Sequence, residues 1–287
     1  PISPTPGRRV FGRPLRCLSP RPEWPLSGVW VVDAGRHHEE SSLEQAIGRA
    51  SEGAEIRLAP GEHRLARPVE ITKPLTLVGP GPDQCRVTCD GKGFVIKYTG
   101  NGTFAARGIR FEHVGSEPAF VLVIVSGQID LENCVCRGAV RDKERNIGGS
   151  GLWAFGTARG TVRNCRFEQN GLHGIVVKGS AILTLEGNTC QQNGQCGIAF
   201  FGNSTAQVRN NVCRENLVGI FAGRQSWPTL EANRCEGNKQ YGIFFRDNAT
   251  GSARKNICTG NGQGAIFVAK TAKPELEQNI GEVVYEK

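Results

Sequence analysis

Aromatic and basic residues recur on one short segment of successive repeats in the second half of this chain. The segment starts at a Gly-Ile pair, and with Ile175, Ile198, Ile220, Ile243 and Ile266 inward, strand alternation points the residues one and three later outward. The first outward row is Trp153, Val176, Ala199, Phe221, Phe244 and Phe267; the second is Phe155, Lys178, Phe201, Gly223, Arg246 and Ala269. Arg224, Asp247 and Lys270 lie just beyond in consecutive repeats. Aromatic faces stack on sugar rings or on apolar side chains, and Arg pairs with a carboxylate. Trp153, Phe155, Phe201, Phe221, Phe244, Arg246, Asp247 and Phe267 are therefore the candidate ligand-binding residues, for an acidic glycan or a protein partner. Self-association through the same strip competes with that reading, as does coverage by an N-terminal arm carrying Phe11, Trp24 and Trp30.

The elements that position this strip are coils of a repeat. VRNCRFEQNGLHGI, LEGNTCQQNGQCGI, VRNNVCRENLVGI, LEANRCEGNKQYGI and ARKNICTGNGQGAI overlay at a period of 22 or 23 residues, with a sixth copy starting at Leu276. That period leaves no room for a helix and reads as a solenoid of stacked β-coils. Arg107, Glu132, Arg163, Glu186, Arg209, Glu231, Arg254 and Glu277 fall one per coil and alternate in sign. Stacked about 4.8 Å apart, they form a ladder of opposite charges where like charges would repel. The same alignment predicts an inward apolar row of Ala106, Leu131, Val162, Leu185, Val208, Leu230, Ala253 and Leu276. It also predicts an inward row of Cys136, Cys190, Cys213, Cys235 and Cys258, with Phe111 and Phe167 in the same slot. Two asparagine rows, Asn188 to Asn256 and Asn170 to Asn261, suit turn ladders that satisfy backbone groups rather than ligand contacts. His173 reads as a turn or edge residue.

The N-x-C-x-x-N-x-x-x-G-I pattern, over roughly residues 55–280, resembles the right-handed parallel β-helix repeat of pectate-lyase-like proteins. The version is the one shared by carbohydrate-binding and sugar-hydrolase repeat modules and by β-helical F-box proteins. The resemblance implies an all-β, right-handed parallel β-helix solenoid of about ten coils with a short N-terminal capping helix. That architecture hosts lyases, hydrolases, epimerases and interacting proteins, so function rests on the residues. Hydrolases of this fold resemble one another in clustering aspartates for inverting hydrolysis; from residue 143 onward this chain has Asp247 alone. The acidic clusters of calcium-dependent lyases are missing too, and neither a metal nor a cofactor is expected. The catalytic alternative is a metal-independent polysaccharide lyase or epimerase acting on uronates. Arg224 and Arg246 would neutralise the carboxylate, with Lys178 or Lys270 as base. Non-catalytic recognition or scaffolding is the preferred reading.

Composition bounds the rest. The net charge is +8, and half of it lies in residues 1–28, where five arginines face Glu23. With much of the remainder paired in the ladder, no basic groove for nucleic acid emerges. No apolar run approaches the ~20 residues of a membrane span and no signal peptide is visible. Together with cysteines read as small core hydrophobes, this favours a cytoplasmic location. The chain starts at Pro1 and contains no Met, which fits a processed product or a segment of a longer protein. Residues 1–28, with seven prolines, read as an arm or linker. Residues 29–54 read as an N-terminal strand and capping helix, with Ser41 and Glu44 at capping-box spacing, and 55–287 as the β-helix. The long coil between Cys136 and Phe167 predicts a surface loop near residues 137–150.

Overall fold

The computed structural model describes residues 29–34 and 42–287, so the arm expected over residues 1–28, with Phe11 and Trp24, lies outside the described residues. Each coil contributes short strands to three parallel sheets. Sheet A has eleven strands, from Val29–Val32 to Glu275–Glu277; sheet B has nine, from Gly61–Leu65 to Ile257–Thr259. Sheet C has ten, from Val69–Ile71 to Val283–Tyr285. The protein is thus the expected all-β parallel solenoid, with about eleven turns instead of ten. The additional rung is Val29–Val32, which stacks in register on Ala54–Leu58. Trp30 sits in that rung and is buried in the core, so it is not free to cover sheet C.

The capping helix spans Leu43–Arg49 and buries Leu43, Ala46 and Ile47 against the first coils. Its N-cap is Ser42, whose side chain accepts from the Gln45 N–H, and not Ser41, which is outside the described residues. Glu44 does not complete a capping box; its carboxylate accepts from the backbone N–H groups of Ala66 and Arg67 and ties the helix to the coil below. An open solenoid end is thereby covered, as terminal repeats require.

Inside, the two predicted rows stack in register. Ala106, Leu131, Val162, Leu185, Val208, Leu230, Ala253 and Leu276 follow one another on sheet A. Phe111, Cys136, Phe167, Cys190, Cys213, Cys235 and Cys258 do so on sheet B. The cysteines of this row are buried and unpaired, and burial raises the Cys136 thiol well above its ordinary range. They pack as small hydrophobes.

The corners are held by asparagine. Nδ2 of Asn188, Asn211, Asn233 and Asn256 each donates to Oδ1 of the asparagine one coil on, at 3.0, 3.0, 2.9 and 2.9 Å, ending at Asn279. A second ladder runs from Asn170 to Asn261. In both, the same Oδ1 also accepts the backbone N–H of the asparagine one coil earlier, for example Asn188 N–H to Asn211 at 2.9 Å. The residue before each ladder position turns left-handed, as at Asn210 (φ 57°) and Gln192 (φ 55°). The repeat glycine has a steric cause: a Cβ on Gly219 would lie 2.4 Å from the Gly242 carbonyl oxygen of the next coil.

Outside, the charge ladder is in register but pairs in islands. Arg107 and Arg163 flank Glu132 at 3.5 and 3.3 Å and share Asp130, Arg209 pairs with Glu186 at 3.7 Å, and Arg254 with Glu231 at 2.9 Å. Sheet B carries a second polar ladder that the sequence reading missed. Arg137 bridges Glu112 and Glu168, Gln191 donates to Glu168, and Arg214 donates to Gln191. The long coil forms a hairpin, Arg141–Asp142 pairing antiparallel with Ile147–Gly148, and its ends are buried at Ala139 and Ser150.

Two stability predictions separate these forces. Arg209→Glu sets three acids in successive coils; with both partners half exposed, the loss is about 1 kcal/mol or less and shrinks in high salt. An unchanged melting temperature in low salt would contradict the ladder. Asn211→Ala strands the backbone N–H of Asn188 and leaves its Nδ2 with the Val162 carbonyl alone, a loss of about 3 kcal/mol in urea titration that salt leaves unaltered.

Candidate functional site on sheet C

Sheet C differs from A and B in what it turns outward. Trp153, Val176, Ala199, Phe221, Phe244 and Phe267 occupy one register row, continued by Val284. Val176 and Ala199 are fully buried although they point away from the main core. With Cys196 and Val218 they form a separate apolar cluster, roofed by Trp153, Phe201, Leu217, Phe221 and Phe244. The expected exposed aromatic face is therefore a ridge of half-buried rings, because the larger side chains fold over the smaller ones between them. Gly223 makes room for this: a Cβ there would meet the Phe221 ring at 2.5 Å.

The rings touch in sequence. Centroids of Phe201 and Phe221 are 5.3 Å apart, Phe221 and Phe244 5.5 Å, and Phe244 and Phe267 5.0 Å, the last two edge-on. Tyr241 joins this ladder at 5.4 Å from Phe244 and 4.8 Å from Phe267. Upstream, Phe120 packs on Trp153 at 4.8 Å. Phe155 is half-buried and makes no aromatic contact among the described residues. Sequence reasoning missed Phe120 and Tyr241. Tyr241 lies two residues before Ile243, where a straight strand would turn it inward, but Gly242 and Ile243 are both buried and the bend puts Tyr241 outside. The signal was an aromatic residue directly before a Gly-Ile pair. Phe120 precedes the recognisable Gly-Ile copies and had no register mark.

Lys178 stands apart from the other basic residues of the candidate site. Lys178 Nζ stands 5.5 Å from the Trp153 ring centroid. Arg246 is three rungs further along the same row, about 14 Å at strand spacing, and pairs with Asp247 at 3.6 Å. Asp247 also accepts from the Arg224 backbone N–H at 3.0 Å, and the Lys270 N–H donates to Glu286 at 2.9 Å. Asp247 thus organises the corner next to the strip. Among the described residues no group of three or more His, Cys, Asp or Glu is placed to hold a metal ion. Concavities of about 300 and 530 Å³ lie off this face, around Asp83 and Arg110 and around Arg107 and Glu132, and are lined by ion-paired side chains.

His173 borders the ridge. Its ring packs on Phe201 at 5.9 Å, and Nδ1 accepts from the Cys196 N–H at 3.2 Å. It stands in the turn before the strand Ile175–Lys178, as expected, and is buried there. Burial, helped by the Arg141 charge, lowers its pKa to about 3. It is a neutral structural imidazole at the ridge's border.

This is a β-helix with one apolar, aromatic face and two charge-laddered faces. The chain belongs to the family described as a right handed beta helix region, whose model matches residues 121–280. Among curated proteins no sequence matches it. Solved structures that it resembles include pectate lyase Pel9A, with a TM-score of 0.61 at 14% identity over 88% of this chain and 77% of that one. The A-module of the mannuronan C-5 epimerase AlgE4 of Azotobacter vinelandii has a TM-score of 0.58 at 15% identity, covering 79% and 68%. An alginate lyase from Paenibacillus sp. str. FPU-7 has 0.56 at 13%, covering 91% and 98%. At these identities the likeness is one of fold.

The buried imidazole generates a pH prediction. Its folded pKa lies below the unfolded ~6.5, so between those values the unfolded chain binds the extra proton and stability falls as pH falls. From pH 6.5 to pH 5 this contributes a loss of about 2 kcal/mol. In urea titrations at both pH values, His173→Gln should lack that part of the loss; an identical pH slope in both proteins would contradict a neutral His173.

Proposed function

We propose that this β-helix is a recognition module that binds an extended acidic polysaccharide along sheet C and releases it unchanged. The observation that carries the reading is the unbroken run of rings from Phe201 to Phe267, four coils long, on the face that lacks a charge ladder. A polymer lying along the helix axis meets one ring per coil, and half-buried rings are held in place before it arrives, which limits the ordering entropy. Arg246, exposed at the margin and oriented by Asp247, supplies a carboxylate contact. The fold relatives add support, since each is named for a carboxylated polysaccharide: pectate, mannuronan or alginate. Against turnover with Lys178 as base stands its separation from Arg246, because proton abstraction needs base and neutraliser around one sugar.

The test compares the parent with a Phe221→Ala, Phe244→Ala, Arg246→Ala triple variant and with Arg246→Ala alone, after circular dichroism shows both folded. Retention on immobilised pectate and alginate, ultraviolet absorbance of unsaturated product and oligomer size are recorded together. Expected are retention by the parent, about a hundredfold loss in the triple variant and no product. Unsaturated product that depends on Arg246 would replace recognition by lyase chemistry. A change of oligomer size alone would make the strip a self-association surface. Equal behaviour of all three proteins would remove sheet C as the site.

A further inference from the structure

Lys97 and Lys178 turn outward from strands of sheet C and Arg246 stands one residue past the strand Tyr241–Phe245, and the three differ in how they are satisfied. Lys97 pairs with Glu70 at 3.3 Å and Arg246 with Asp247 at 3.6 Å. Lys178 is exposed and, among the described residues, has no carboxylate within ion-pair distance. Its contact is with the Trp153 ring, 5.5 Å from the centroid. A cation on an aromatic face keeps its charge uncompensated while its stem is held against apolar surface.

Its position along the ridge adds a second observation. Phe120 and Trp153 form one ring pair upstream, and Phe201 begins the downstream ladder. The strand between them, Ile175–Lys178, presents Val176, which is fully buried, and Lys178. No ring contact joins Trp153 to Phe201 among the described residues. The aromatic ridge is thus two clusters, with one unpaired cation at their junction.

We infer that Lys178 is the charge-reading residue of this face: a carboxylate of the bound glycan sits at Lys178 while its neighbouring sugars lie on Trp153 upstream and on Phe201 downstream. The inference rests on the recognition reading above and deepens it. Arg246 already shares its charge with Asp247 and is the weaker discriminator; Lys178 makes the preference for an acidic over a neutral chain.

The experiment is calorimetric titration of an oligogalacturonate series and of a neutral cello-oligosaccharide series into the parent, Lys178→Gln, Lys178→Arg and Trp153→Ala. Lys178 is exposed, so its variants should fold as the parent does. Expected is about tenfold weaker binding of the acidic series by Lys178→Gln, with a smaller salt dependence and unchanged binding of the neutral series. Lys178→Arg should retain most of the acidic affinity. Trp153→Ala should weaken long oligomers and spare short ones that fit the downstream cluster alone. If the parent binds the acidic series while Lys178→Gln binds it equally well with the same salt slope, Lys178 does not read the charge and the inference fails, though recognition by sheet C stands. If the parent binds neither series, the recognition reading itself fails.

Discussion

In the coils of the C-terminal half, two of the corners leave backbone N–H groups that the asparagine of the next coil satisfies. That single interaction sets the rest. An Asn Oδ1 accepts both the N–H and the Nδ2 of the coil above, so two coils have to sit in register with corners aligned. Once the corners are aligned, every residue between them lies beside its counterpart at about 4.8 Å. Each outward or inward row must then tolerate itself as a neighbour.

The three faces answer that constraint with different chemistry. Sheet A alternates charge, and sheet B runs acid, base, acid, amide and base from Glu112 to Arg214. On those faces many of the charged side chains pair with a neighbour one coil away. Sheet C instead stacks apolar side chains, which tolerate self-neighbours without any pairing rule and leave ring edges and Lys178, which has no ion-pair partner among the described residues, facing outward. Stacking register thus gives one face an aromatic surface and the other two ladders of paired charge.

The repeat was legible in the sequence wherever a row had one residue type, because stacking acts on equal positions. The asparagine, cysteine and charge rows and the outward aromatic row could all be read by laying coils over one another. What could not be read was lateral. The sheet B ladder mixes Glu, Arg and Gln, so no residue type repeats at a fixed interval. Val176 and Ala199 are buried because rings in neighbouring coils fold over them, and a one-dimensional alternation rule assigns such positions to solvent. Tyr241 escaped because a glycine bend breaks the alternation on which the outward rows were drawn. Glu44, expected in a capping box, instead reaches the backbone of the following coil, a contact 22 residues away in sequence.

The residues that hold the fold and the candidate binding residues are largely different sets. Asn211 or Gly219 cannot change without disturbing the coils on both sides, since each is the partner of its own repeat. Lys178 and Arg246 project from the outer surface and take no part in the corner ladders. The rings between them belong to both worlds: they roof Val176 and Ala199 and present their outer edges. Losing a ring therefore opens the outer cluster as well as the surface, whereas losing Lys178 alters charge alone. The same asymmetry means that the cation positions beside the aromatic ridge can change while the stacking, and therefore the spacing of the rings, stays fixed by the asparagine ladders.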